Sequence, residues 1–123
     1  WHVPTMEDFS QLTDYIAPEG IASWGNSLAG GKMKESEIGY WSYYNDQISL
    51  ETTNESGYAG LPAGYRNTNS GDYINIGFDG YYWTSTEHSS ELAWRICLFY
   101  YSSGVVNDIF GKPNGFSIRC LSD

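Results

Sequence analysis

A chain of 123 residues with 15 acidic and only 6 basic side chains, net charge −9, has the size of one domain and a surface that repels phosphate backbones and anionic lipid. Nucleic-acid partners and direct membrane insertion are therefore not expected, and no run of about 18 apolar residues could span a bilayer. Nor is this an acidic disordered tail: with 17% aromatic residues, its ring surface must be buried or used for contact. Tyr, Trp, Ser, Gly and Asn dominate the composition, as they do in extracellular recognition surfaces.

The first residue is Trp1, with no basic segment or apolar leader around it, so residues 1–123 are expected to be one domain at the C-terminal end of a longer surface protein. Thr5 followed by Asp8 has the form of a capping box, and Phe9, Leu12 and Ile16 share one helical face. That predicts a first helix ending at Pro18-Glu19-Gly20. A shorter second helix is expected over Ile21–Leu28, stopped by Gly30-Gly31. Lys32-Met33-Lys34 reads as the start of a strand, and Ile38–Asn54 as a long loop. Short segments bounded by Gly, Asn and Pro follow at Gly57–Leu61, Gly64–Arg66, Tyr81–Ser85, Glu91–Phe99 and Phe116–Leu121. Alternation is clearest at Leu92, Trp94, Ile96 and Leu98, and at Phe116 and Ile118. Helices first and short strands after predict an α+β domain with an antiparallel sheet. Trp83 and Trp94 are expected in its core.

Signals for catalysis are weak. His88 among Glu87, Ser89, Ser90 and Glu91 has the residue types of a triad, but neighbours in a polar turn do not converge on one point. No enzymatic activity is expected. Zinc and EF-hand spacings are absent, so no metal or cofactor is expected; calcium at Asn107-Asp108 is the one alternative. The remaining chemistry is a ring-rich surface. Tyr81, Tyr82, Tyr100, Tyr101 and Phe110 supply ring contacts, and Ser103, Asn107, Asp108, Lys112 and Asn114 supply hydrogen bonds. Two cysteines, Cys97 and Cys120, allow one disulfide, or leave two free thiols.

Five blocks then spell a pattern: Trp1-His2-Val3-Pro4-Thr5, Asn54 through Asn67, Tyr82-Trp83-Thr84-Ser85-Thr86-Glu87, Ala93-Trp94, and Gly115-Phe116-Ser117-Ile118-Arg119-Cys120. In order and approximate spacing they resemble the Fibrobacter succinogenes major paralogous domain family. The resemblance implies a C-type-lectin-like fold, in which two helices flank antiparallel sheets with a long irregular loop region. It implies non-catalytic binding of a protein or glycan by bacterial surface or phage proteins, outside the cell, lipid-anchored through an upstream segment, or on a virion. Structural cap or spacer modules in such assemblies are the alternative role. Similar domains serve as variable proteins of diversity-generating retroelements, and Arg95–Asn114 is the matching stretch. The resemblance also implies that the usual partner of Cys120 lies upstream of Trp1. Val106 stands where the calcium motif of true C-type lectins has Trp.

Overall fold

The computed structural model describes residues 1–18 and 28–123. Helix α1 (Met6–Ile16) starts where its cap predicts. The Thr5 hydroxyl accepts from the Asp8 amide at 3.1 Å while the Asp8 carboxylate accepts from the Thr5 amide at 2.8 Å. Such a cap contributes about 1 kcal/mol. Phe9, Thr13 and Ile16 form the buried stripe, with Leu12 half-buried beside them. The helix expected over Ile21–Leu28 lies, apart from Leu28, outside the described residues.

Helix α2 (Ala29–Met33) contains Gly30 and Gly31 instead of stopping at them. A Cβ on Gly30 would sit 2.0 Å from the Gly104 carbonyl oxygen, and one on Gly31 2.3 Å from that of Glu51. Both glycines therefore admit a passing backbone, which is a reason unrelated to helix termination. The strand start expected at Lys32-Met33-Lys34 is also corrected. Lys32 and Met33 are helical, and Lys34 makes a lone parallel bridge to Gly60. Within the expected loop, Asn45 accepts from the Ile48 amide at 3.0 Å and so caps a short helix α3 (Asp46–Glu51).

Strands β1 (Tyr65–Arg66) and β2 (Tyr73–Ile74) form a small antiparallel ladder. Strands β3 (Asp79–Glu87), β4 (Leu92–Phe99) and β5 (Val106–Gly111) form an antiparallel sheet in that order. The domain is α+β. Segment 116–121, expected as a closing strand, makes isolated bridges only: Ser117 to Tyr82 and Leu121 to His2. It leaves the ladder as the Phe116 ring joins Tyr81, Trp83 and Phe110, with centroids 5.6, 4.5 and 5.5 Å away.

Central strand β4 is covered on both faces. On one, Ile96 and Leu98 join Tyr82 from β3 and meet Phe9, Ile16, Met33, Trp41 and Tyr58. Fully burying a side chain of this size stabilises the fold by roughly 2 kcal/mol. On the other, Arg95 and Cys97 lie beside Tyr81, Phe110 and Phe116. Trp83 and Trp94 are half-buried instead of central: Trp83 leans on Phe116, and Trp94 meets His88 edge-on at 6.2 Å. A Cys97–Cys120 disulfide does not form. Cys97 is enclosed on β4 with its thiol 3.9 Å from Asp108, whereas Cys120 is exposed in the closing segment, and both are free.

Candidate recognition surface

The residues expected to form one ligand face are dispersed by the sheet. Tyr81 and Tyr82 are consecutive on β3, point to opposite faces, and are both buried, at 7% and 3% exposure. The Tyr82 hydroxyl donates to the Leu61 carbonyl at 2.6 Å, and that of Tyr81 to Asp79 at 3.0 Å. Both are packing residues, and burial holds both phenols above their ordinary pKa. Ser103 is also buried and donates to the Glu51 carboxylate.

The segment expected to be a binding loop is strand β5, paired residue by residue with β4. Asp108 faces Arg95, whose guanidinium grips it through Nε at 2.6 Å and a second nitrogen at 3.1 Å. Three rings surround that guanidinium: Phe110 at 4.0 Å and Tyr81 and Phe116 each at 4.8 Å. Phe110 and Asp108 thus lock the sheet together. Asn107 points to the other side and is exposed. Lys112 bonds Glu87 and donates to the Ser90 carbonyl at 3.1 Å, while Asn114 donates to the Gly111 carbonyl at 3.0 Å. These two lie beyond the end of β4 that carries Leu92, whereas Tyr100 and Tyr101 follow Phe99 at the other end. Eight strand residues separate the two groups by roughly 23 Å, too far for one small ligand.

Only Tyr100 and Tyr101 of that set belong to a shared exposed surface, and their neighbours come from elsewhere in the chain. Tyr100 meets Phe78 at 5.2 Å, Tyr101 at 5.3 Å and Tyr44 at 6.4 Å, each edge-to-face. Main-chain bonds stitch these segments together: Tyr44 N to Tyr100 O at 3.2 Å, Ser42 N to Gly77 O at 2.8 Å and Gly77 N to Pro62 O at 2.8 Å. Tyr40, Tyr44, Ile76, Phe78 and Tyr101 are between 45% and 69% exposed. Together they leave an apolar area open to solvent. Positive φ at Asn75 (61°) and Gly77 (86°) makes the tight turn that turns Ile76 and Phe78 outwards.

Buried charges hold this surface in place. Lys34 is fully enclosed, and its ammonium donates to the carbonyls of Phe99 and Ser102, both at 2.6 Å, beneath the turn that carries Tyr100 and Tyr101. Trp41 covers it, with the ring centroid 4.9 Å from Nζ. Burial pulls the Lys34 pKa down to about 8, against the opposing pull of the Asp79 and Glu51 charges. Asp79 stands under the neighbouring turn and accepts from the Asn75 side chain at 2.8 Å; burial raises its carboxyl pKa despite that bond and the one from Tyr81. Buried Glu35 accepts from the amides of Glu37 and Ile38 and so shapes the loop leading to Tyr40. Burying charge is expensive unless it is hydrogen-bonded, and each of these three groups bonds to the loop above it.

The model of the Fibrobacter succinogenes major domain matches residues 1–122. The chain belongs to that family. No curated protein and no solved structure matches it. For this member of the family, among the described residues, no group of three or more His, Cys, Asp or Glu side chains is arranged to hold a metal ion. No helix among them is long and apolar enough to cross a membrane.

Proposed function

We propose that this family member is a non-catalytic recognition domain of C-type-lectin-like fold, acting outside the cell, on a cell surface or on a virion. It binds a protein or glycan ligand through the surface formed by Tyr40, Tyr44, Ile76, Phe78, Tyr100 and Tyr101. The observation that carries this reading is the pairing of exposed rings with buried anchors. Tyr40, Tyr44, Ile76, Phe78 and Tyr101 leave much of their apolar surface open to water, while Lys34, Glu35 and Asp79 tie down their loops through hydrogen bonds. A preformed surface loses less entropy on binding than a mobile one. The fold assignment is supported by the α+β architecture, the family membership, and the His2–Leu121 bridge that brings the two ends of the domain together.

The test is to probe immobilised domain with glycans and cell-surface proteins, with and without EDTA, beside a Tyr44→Ala/Tyr101→Ala variant. Both rings are exposed, so the variant should keep its fold. A ligand retained by wild type and lost by the variant supports the site; equal retention by both refutes it. A structural cap or spacer role is the second reading, favoured by another apolar area. Trp1 (82% exposed) and Ile118 (58% exposed) border an open cleft of about 490 Å³ with Leu12, Tyr58 and Leu121. Contact through that area would give the domain a concentration-dependent mass in light scattering.

A further inference from the structure

The recognition surface deepens on one side into a cleft of about 230 Å³ lined by Tyr40, Leu61, Pro62, Ala63, Ile76 and Gly77. That is the scale of one large apolar side chain. The only polar side-chain group in its walls is the Tyr40 phenol. The adjoining rings are poorly disposed for flat stacking. Tyr100 is ringed edge-to-face by Tyr44, Phe78 and Tyr101, and Tyr101 lies on Phe99 with 7° between their planes. A sugar desolvated here would leave hydroxyls without partners, whereas an apolar side chain needs none.

Charge narrows the partner further. Four of the six basic side chains are tied up by burial or by hydrogen bonds. Lys34 and Arg95 are buried, Lys32 donates to the Ile16 carbonyl, and Lys112 bonds Glu87. Arg66 and Arg119 are exposed, Arg119 with its guanidinium over the Tyr58 ring, and neither lines the cleft. Exposed Glu37 and Asp46 meanwhile lie close in the chain to Ile38 and Tyr44, on a domain of net charge −9. The cleft is apolar, none of the six basic side chains lines it, and exposed acids lie on the segments that carry Tyr40 and Tyr44.

Resting on the recognition reading above, we propose that the partner is a polypeptide that seats one large apolar side chain in the Tyr40–Leu61–Ile76 cleft and sets Lys or Arg against Glu37 and Asp46. Opposite charge at the rim sets which partners dock, and burial in the cleft sets how long they stay.

Three sets of short synthetic peptides, each with a central Leu, Phe or Trp, test this against the whole domain by fluorescence anisotropy. One set is flanked by Lys and Arg, one by Ser, and one by Asp and Glu. The basic-flanked set should bind at least about tenfold tighter than the acidic-flanked set, with the difference shrinking as salt rises. Ile76→Asp should abolish that binding while circular dichroism and Tm stay at wild-type values, because the Ile76 side chain is 60% exposed. Equal binding by all three sets, or binding that Ile76→Asp leaves intact, overturns the proposal. A glycan that binds wild type and is lost in Ile76→Asp overturns the polypeptide assignment and leaves the recognition surface standing. If no peptide or glycan perturbs residues 40–44 and 76–78 in NMR spectra, both readings fall.

Discussion

Replacing Lys34 by Met removes the buried ammonium under the Tyr100–Tyr101 turn and keeps most of its volume. Two opposing effects follow. The carbonyls of Phe99 and Ser102 lose their donor, at about 1–3 kcal/mol each. Against that, the charged form no longer has to be carried into the interior. Its pKa falls from 10.5 in the unfolded chain to about 8 in the fold, which at about 1.4 kcal/mol per pH unit is a cost of about 3 kcal/mol below pH 8. Between pH 8 and 10.5 the unfolded chain holds a proton that the folded chain has released, so wild-type stability rises with pH in that window. The Met variant has no such rise. Tyr58, Tyr81 and Tyr82, with phenols held above their ordinary pKa of 10.0 by burial, weaken both proteins alike above pH 10. The stability of wild type relative to the variant should therefore rise by about 3 kcal/mol from pH 7 to pH 10.5. Urea unfolding followed by circular dichroism across that range measures it. A gap that stays constant with pH refutes the reasoning, because the two carbonyls would then be offsetting the whole burial cost.

Two further outcomes follow from packing. Gly30→Ala forces a methyl group to 2.0 Å from the Gly104 carbonyl oxygen, a backbone atom that cannot swing away. It should cost about 3 kcal/mol or more and lower Tm by several degrees, whereas a normal Tm would show that α2 and the 103–104 turn are not held together. In a thiol titration with a disulfide reagent, native protein should react at Cys120 only. Cys97 is wholly buried, with its pKa pushed up to about 12 mainly by that burial, and should react only after denaturation. Two fast thiols would contradict the closed ring-lined face of β4.

Where local pattern and final environment agree, the fold is legible in the sequence. Thr5 and Asp8 cap α1, and Phe9 and Ile16 point to the core, because a helix start and its stripe are written within a few residues. The alternation of Leu92–Leu98 marks β4 for the same reason. Strand β5 was hidden because its polar members, Asn107 and Asp108, look like turn residues. Only the pairing of Asp108 with Arg95 across the ladder explains a carboxylate there. Tyr81 and Tyr82 mislead for a related reason. Neighbours on a strand point to opposite faces, and nothing in a single segment announces that β3 is covered on both. Helix α3 could have been found from Asn45 and Asp46, a capping residue followed by an acid in the first turn. The surface itself was not readable. Tyr44, Ile76 and Tyr101 carry no common motif and meet only because main-chain bonds between distant loops bring them together.

The grip of Lys34 is on the backbone alone: it holds the carbonyl oxygens of Phe99 and Ser102 and touches neither of the two side chains between them. The clamp itself thus acts on the main chain, separately from the ring contacts that Tyr100 and Tyr101 make. Substitution at exposed Tyr101 would therefore change what the turn presents to solvent while the main-chain clamp beneath it stays in place.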